Sequence, residues 1–276
     1  MKTQSPAKVK KNNTLTYIVL IISSIFTLFP FLWIIIGTTN TSRQIISGKL
    51  SLGDQLGINL KKLFIDNNMK GALWNSLFIA ILTVIITLII TSMAAYGFQM
   101  YKTRKKEKIY AFFLLTMMFP FASLMIPLFK IITKINLLDN FAAIIIVASA
   151  SVFMIFFFRQ SFVNYPTDVL QAAYVDGASE LQTFIRIFIP SMKSTYAAAA
   201  IYIFMTSWNN YLWPLIVIQS NEKKTTTLLI SSMSSSYTPD YGVIMTGIAI
   251  ATLPVIIMFF SFQKQFVEGM MGSVKQ

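Results

Sequence analysis

Long stretches without charge are the feature that most constrains how this chain can fold. Six intervals contain no Asp, Glu, Lys or Arg: Asn12–Ser42, Gly71–Tyr101, Tyr110–Phe129, Asn140–Phe158, Ser194–Asn221 and Tyr241–Gln263. A helix that crosses the hydrocarbon core of a bilayer needs about 20 mainly apolar residues. The sequence therefore predicts an all-α polytopic membrane protein with six transmembrane helices, at 15–37, 76–98, 109–130, 141–161, 196–217 and 242–263.

The composition agrees with a membrane protein and removes several kinds of chemistry. Only 12% of the residues are charged, whereas soluble domains carry about 25%. Cysteine and histidine are absent, which excludes a disulfide framework, a thiol nucleophile and metal ligation by either residue. The net charge of +13 lies in clusters between apolar stretches, such as Lys102–Lys108. Anionic lipid headgroups would meet these clusters, so we predict contact with membrane lipids and no binding of nucleic acid.

The distribution of basic residues predicts the orientation of the chain. Cytoplasmic segments of membrane proteins carry an excess of Lys and Arg. With both termini in the cytoplasm, 14 of the 23 Lys and Arg residues lie in internal segments and 9 in external ones. The first apolar stretch is too long for the core of a signal peptide, which predicts an uncleaved first span. Another charge-free interval, Thr225–Pro239, is short and rich in Ser and Thr, and predicts an external loop.

The interiors of the predicted spans contain no ionisable side chain. Such residues usually mark ion pathways and proton relays, so their absence counts against a proton- or sodium-coupled carrier. It also counts against an intramembrane protease, which needs an Asp pair or a nucleophile with a base. No G-x-x-x-x-G-K-[ST] loop occurs anywhere, so the energy for any active transport would come from another subunit.

Hydroxyl, amide and indole side chains within the spans allow two interpretations. The candidates for a translocation pathway are Ser149, Ser151, Thr206, Trp208, Asn209, Asn210 and Trp213. Hydrogen bonds between helices, worth about 0.6 kcal/mol each, are the first interpretation and the favoured one for a single Ser or Thr. A polar lining for a hydroxylated solute is the second. In Thr206–Pro214 both stay open, because the two Trp residues are either interfacial anchors or stack on sugar rings at a gate.

Between the fourth and fifth spans, the stretch QAAYVDGASELQTFIRIFIP carries the signals of two short helices. Pro166 suits a helix start, and Asp168 lies in the first turn, where a carboxylate is favourable. Gly177 matches the left-handed residue that follows a helix. Ser179 with Gln182 forms a capping box, and a second helix with one apolar face follows, formed by Leu181, Phe184, Ile185 and Phe188. Pro190 ends it. From these signals alone, an interfacial helix pair and a surface for a partner are equally favoured.

This stretch resembles the EAA motif of binding-protein-dependent ABC importer permeases. Eight positions fall in register: Ala172, Ala173, Asp176, Gly177, Ala178, Phe184, Ile187 and Pro190. The resemblance extends over roughly residues 72–270. Trp208–Ile218 and Phe262–Gln276 are similar to MalG-type carbohydrate permeases in particular. The resemblance implies the ABC importer type I permease fold. Residues 1–71 would form a cytoplasmic tail, the first transmembrane helix and an external loop. Residues 72–263 would form a permease core with five transmembrane helices and a cytoplasmic coupling loop (164–193), and residues 264–276 a cytoplasmic tail.

The resemblance also implies function and partners. The chain would be the permease subunit of an ATP-driven importer for a sugar, a di- or oligosaccharide, in the bacterial cytoplasmic membrane. A coupling helix at 168–178 would dock on an ATPase through Gln171, Ala172, Ala173, Tyr174, Asp176, Gly177, Ala178 and Glu180. The partners would be a second homologous permease, two ATPase subunits and an extracellular or periplasmic sugar-binding protein. The chain itself would be no enzyme and hold no cofactor; ATP and Mg would bind to the ATPase.

Two positions depart from the family pattern. Gln171 stands where a Glu is usual, and Ser194 stands near a usual proline. Because hydrogen bonds between neutral groups are about half as strong as charge-assisted ones, docking would depend more on shape here. Two alternatives to the importer remain: an ion-coupled secondary transporter, and a membrane scaffold that transports nothing. An intramembrane enzyme is the least favoured because the reactive residues are missing.

Overall fold

The computed structural model describes residues 13–163 and 165–271, with side chains over 16–163 and 165–263. Predictions that concern residues 1–12, Asn164 and 272–276 lie outside this part. The described residues form helices and no strand. The helices are α1 (Asn13–Thr38), α2 (Ser42–Ile46), α3 (Leu56–Lys61), α4 (Met69–Met100), α5 (Arg104–Thr116), α6 (Phe121–Lys134), α7 (Phe141–Ser149), α8 (Val152–Phe162), α9 (Thr167–Val175), α10 (Glu180–Thr183), α11 (Ile189–Ser191), α12 (Lys193–Trp208), α13 (Leu212–Val217), α14 (Thr226–Ser234) and α15 (Tyr241–Met271). Lys62–Asp66 and Phe184–Phe188 are π-helical, and Asn221–Lys223 is a 3₁₀ turn.

Four stretches of helix are long and apolar enough to cross a membrane by themselves. They are Thr16–Thr38, Met69–Met100, Phe141–Phe162 and Tyr241–Gln263. Two further pairs of helices qualify as bent spans: Arg104–Thr116 with Phe121–Lys134, bent by 105°, and Glu180–Ser191 with Lys193–Trp208, bent by 82°. The described residues thus contain four candidate spans, or six if each bent pair counts as one, which confirms the polytopic all-α fold.

The prediction of one continuous third helix at 109–130 is wrong. α5 ends at Thr116 and α6 begins at Phe121, after a sharp change of direction. Pro120 lies at the break, with φ −65° and ψ 138°. Proline has no N–H to donate and disfavours a helical conformation at the residue before it, so Phe119 and Pro120 favour a break at this point.

The predicted fifth helix, 196–217, is also divided. α12 ends at Trp208 and α13 begins only at Leu212. In a continuous helix Pro214 would leave the carbonyl of Asn210 without a donor and would clash with it. In the folded chain that carbonyl accepts a hydrogen bond from the Thr227 hydroxyl at 2.9 Å. The Asn210 carbonyl is therefore satisfied in spite of the break, because Thr227 of α14 supplies the missing donor.

The interval Thr225–Pro239, predicted as a loop, contains helix α14. The Thr225 side chain accepts a hydrogen bond from the Leu228 N–H and so caps this helix. Leu228 and Leu229 are buried, in two different apolar clusters of the protein, so packing of these leucines stabilises a helix in a short Ser- and Thr-rich segment.

Asp139 joins the turn before α7 to the segment after α13. Its carboxylate accepts hydrogen bonds from the N–H groups of Gln219 and Ser220, at 2.9 and 3.0 Å, and from the Ser220 hydroxyl. Lys223 Nζ lies 3.1 Å from the same carboxylate. The hydrogen bonds from Ser220, with those from Gln219 and Lys223, hold the pKa of Asp139 well below its ordinary value. The carboxylate is therefore charged at neutral pH, and it fixes this turn.

Helix α4 lies at the centre of the protein. It packs against α7, α8 and α12, and its Thr83, Thr87 and Thr91 are buried at a spacing of four residues. Side chains four apart lie on one face of a helix, so this polar stripe faces inward. α1, in contrast, is exposed along most of its length.

Candidate docking site

The first helix of the coupling loop ends as its sequence predicts. α9 is followed by Asp176 and then by Gly177, which has φ +84°. The Ala178 N–H donates to the Ala173 carbonyl at 3.0 Å, and the Gly177 N–H donates to the Tyr174 carbonyl at 3.1 Å. This pair of hydrogen bonds defines a Schellman motif, which requires a left-handed residue after the helix. Glycine adopts that conformation without steric cost.

The second helix begins with the predicted capping box. The Ser179 N–H donates to Gln182 Oε1 at 3.0 Å, and the Gln182 N–H donates to the Ser179 hydroxyl at 3.4 Å. Two caps thus lie within six residues of each other and fix the direction of the chain as it passes from one helix to the next.

The predicted docking residues divide between two faces of the loop. Ala173 is buried and packs inward together with Leu170, which sequence reasoning did not single out. Ala178 is half-buried. The exposed residues are Gln171, Ala172, Tyr174, Asp176, Gly177 and Glu180. Val175, which the sequence analysis missed, is 88% exposed and is the most prominent apolar side chain of α9. Its neighbours Ala172 and Asp176 belong to the motif, and that proximity could have identified it.

The prediction of a single apolar face on the second helix is wrong. Phe184 and Phe188 are buried, but Leu181 and Ile185 are more than half exposed. Phe184–Phe188 is π-helical, and a π-turn has hydrogen bonds between residues five apart. The α-helical spacing that would place Leu181 and Phe184 on one face therefore does not hold here. Leu181 and Ile185 instead line an apolar cleft of about 460 Å³, which the Ile85–Met93 part of α4 closes on the other side.

An ion pair with one buried partner, Arg159, lies at the end of α8, just before the coupling loop. Arg159 Nη2 is 2.5 Å from Glu107 Oε1, and the guanidinium lies 3.9 Å above the centre of the Tyr110 ring. Arg159 is 8% exposed. Neither residue is among the site residues that the sequence predicts. The signal that could have revealed the pair is Glu107 itself, the one acidic residue within the basic cluster Lys102–Lys108.

Comparison with known proteins decides the family. The model of the family described as "Binding-protein-dependent transport system inner membrane component" matches residues 88–272. The chain belongs to this family. It is therefore a permease subunit of an ABC importer, a multi-pass protein of the bacterial cytoplasmic membrane, and not itself an enzyme. Membership also means that this permease works in a complex with an ATPase and a substrate-binding partner.

Several relatives resemble this permease over almost its whole length. The lactose transport system permease protein LacG of Rhizobium radiobacter is 48% identical over 259 residues, which cover 94% of this chain and 95% of the relative. The arabinooligosaccharides transport system permease protein AraQ of Bacillus subtilis is 36% identical over 262 residues, covering 91% and 92%. The fold matches a crystal structure of a bacterial ABC transporter involved in the import of the acidic polysaccharide alginate. The TM-score is 0.84, with 21% identity, and the match covers 96% of this permease and 100% of that chain.

The two candidate tryptophans of the pathway are buried within this permease. The Trp208 indole donates to the Ala251 carbonyl at 3.1 Å, and the Trp213 indole donates to the Ala143 carbonyl at 2.9 Å. They are 3% and 1% exposed, respectively. Each indole therefore connects two helices inside the permease, which fits the first interpretation of the polar side chains in the spans, hydrogen bonds between helices.

The other pathway candidates differ in what their side chains bind. Ser151 caps α8 by accepting from the Met154 N–H, and the buried Ser149 hydroxyl has no partner among the described residues. Thr206 is exposed, but its hydroxyl donates to carbonyls of its own helix, and Asn209 likewise donates to the Met205 carbonyl at 2.9 Å. Asn210 is half-buried, and its carbonyl accepts from Thr227. Thr206 and Asn209 are thus the members of the set that combine exposure with a polar group.

Proposed function

We propose that this permease imports a sugar, a di- or oligosaccharide. The observation that carries the proposal is the 48% identity with a lactose permease across 94% of the chain. The arabino-oligosaccharide permease supports the same class of substrate. The exposed Thr206 and Asn209 suit this class, since the Thr206 hydroxyl oxygen can accept from sugar hydroxyls and the Asn209 amide can both accept and donate.

We infer that the permease assembles with a second, homologous permease, two ATPase subunits and an extracellular or periplasmic sugar-binding protein. ATP and Mg²⁺ would bind to the ATPase. The docking surface on this chain is the exposed side of α9 and the turn after it, with Gln171, Ala172, Val175, Asp176 and Gly177. Gln171 carries no charge, so shape and hydrogen bonding hold this interface more than an ion pair does.

The contacts of α9 suggest how it transmits movement. Leu170 and Ala173 pack on the inner side, and the Schellman motif and capping box join α9 firmly to the next helix. Closure of the ATPase would therefore move residues 168–178 as a rigid body and change the packing of the two permeases between inward- and outward-facing states. Such a switch needs a bistable element, and the interface between the permeases is the one that we propose.

Reconstitution tests the function directly. Proteoliposomes that contain this permease, its partner permease, the ATPase and the binding protein are expected to accumulate lactose or an arabino-oligosaccharide only when ATP is present on the ATPase side. The sugar with its binding protein should raise the rate of ATP hydrolysis. Uptake driven by an ion gradient without ATP would support a secondary transporter instead. Unchanged sugar uptake in cells that lack this chain would support a scaffold.

A single cysteine tests both the orientation and the docking surface. The natural chain has no cysteine, and the Val175 side chain is 88% exposed. We expect Val175→Cys to react with a membrane-impermeant maleimide only from the cytoplasmic side. We also expect the ATPase to slow this reaction strongly, because the docked subunit would cover the position.

The matched control is Tyr237→Cys. Tyr237 is fully exposed and lies between α14 and α15. It should react from the external side, at the same rate with and without the ATPase. Labelling of Val175→Cys from outside would contradict the orientation, and labelling that the ATPase does not slow would contradict the docking surface.

A further inference from the structure

Tyr96, near the end of α4, lies inside the aromatic cluster of the coupling loop. Its ring is 5% exposed, and its centroid is 4.9 Å from those of both Phe184 and Phe188. Phe188 is fully buried and contacts Phe162 and Tyr165, each at 4.6 Å between centroids. Packed aromatic rings at such distances prefer a limited set of orientations. A shift of the coupling loop would therefore shift Tyr96 with it.

The Tyr96 hydroxyl also reaches the docking helix. It lies 3.3 Å from the hydroxyl of Tyr174 on α9. Tyr174 is 41% exposed, and its hydroxyl points towards the permease. Tyr174 is thus placed to link α9 with α4, in addition to any part that its exposed side takes in docking. No sequence signal joins these residues, because they lie 78 positions apart.

At its other end, α4 is hydrogen-bonded to residues 222–226, which lead into helix α14. The Asn75 amide donates to the carbonyls of Glu222 and Lys224, at 2.8 and 3.1 Å. The Thr226 N–H donates to the Ser76 hydroxyl at 2.8 Å. α4 contains no proline, and it is one continuous helix of 32 residues. At 1.5 Å per residue, Tyr96 lies about 30 Å from these contacts along a helix without a break.

We propose that Tyr96 is a positioning residue that passes movement of α9 to α4, and through α4 to residues 221–234 at the opposite end. This inference rests on the proposed function, in which α9 docks on the ATPase and the opposite end of α4 is external. The Tyr96–Tyr174 hydroxyl pair sets the position of α9 relative to α4. The aromatic packing around Tyr96 transmits the movement.

Two conservative variants test the hydroxyl pair. Tyr96→Phe and Tyr174→Phe each keep the ring and remove one hydroxyl. In the reconstituted complex we expect each to lower the ratio of stimulated to basal ATP hydrolysis about twofold to tenfold, which is the effect of one net hydrogen bond. The stimulus is binding protein with sugar, at matched amounts of copurified ATPase. The ratio in the double variant should be no lower than in the single variant with the lower ratio, because the effects of two residues that act as one unit are not additive.

Tyr165→Phe is the matched control. The Tyr165 hydroxyl accepts from Ser191 at 3.1 Å within the coupling loop and is not part of the Tyr96–Tyr174 pair, so the ratio should stay at the wild-type value. The proposal is overturned if both single variants keep the wild-type ratio, or if their losses multiply in the double variant. A defect in folding would instead lower the yield of complex. Failure of the proposed function appears separately, as a wild-type permease that neither binds the ATPase nor responds to the sugar.

Discussion

Copurification of the ATPase with this permease is expected to fall to background when Gly177 is replaced by leucine. Gly177 has φ +84°, and a residue with a Cβ costs about 1–2 kcal/mol more in that region. Leucine would favour a different turn and break the Schellman motif. A Cβ at Gly177 would meet no atom of the permease within 4 Å, so the effect arises from the backbone and from the partner surface that would meet the new side chain. The measurement is the amount of ATPase retained on tagged permease in detergent.

Two control variants separate the turn from general strain. Asparagine adopts the left-handed conformation more readily than other residues with a Cβ, so Gly177→Asn should retain most of the ATPase. Gly48 has φ +75°, and a Cβ at this position would also meet no atom within 4 Å. Gly48→Leu therefore introduces similar strain far from the coupling loop and should leave copurification unchanged. Normal copurification by Gly177→Leu, or an equal loss in Gly48→Leu, would contradict the role of the turn.

The coupling loop could be predicted closely because its signals are local. Pro166, Gly177 and the Ser179–Gln182 pair act within one or two turns of the chain, and the structure places the caps where these residues predict them. The prediction that Pro190 ends the second helix is wrong, since the helical stretch Glu180–Ser191 runs through it. The sequence could not show which face of α9 packs against the protein and which is exposed. Leu170 and Ala173 face inward, and Val175 faces outward, as a result of packing against elements far along the chain.

The spans were predicted less accurately because the length of an apolar stretch does not show whether one unbroken helix runs through it. Pro120 and Pro214 were visible in the sequence, and both lie at or near breaks that a count of charge-free residues ignores. Other features had no local signal. The spacing of the residues indicates neither the π-helical turn at Phe184–Phe188 nor the burial of Trp208 and Trp213.

The free energy of unfolding is expected to fall by about 2 kcal/mol when Glu107 is replaced by glutamine. Loss of one partner from a fully buried pair costs about 3–5 kcal/mol, because the remaining charge is left without compensation. Arg159 is buried, but the side chain of Glu107 is 46% exposed, so water can partly replace the carboxylate. The midpoint of thermal unfolding in detergent measures the effect. Lys62→Gln is the control, since the pair that Lys62 forms with Asp240 is exposed on both sides and should contribute about 1 kcal/mol or less.

The double variant Glu107→Gln, Arg159→Met decides whether charge or packing matters at this position. An apolar side chain of similar length in place of Arg159 removes the buried charge and keeps contact with the Tyr110 ring. We therefore expect the double variant to recover most of the stability lost in Glu107→Gln. If it is as unstable as the single variant, the contacts of Arg159 and not its charge hold α8 to α5. Because α8 leads directly into the coupling loop, the single variant should also lower stimulated ATP hydrolysis at temperatures where it is still folded, and the double variant should restore it.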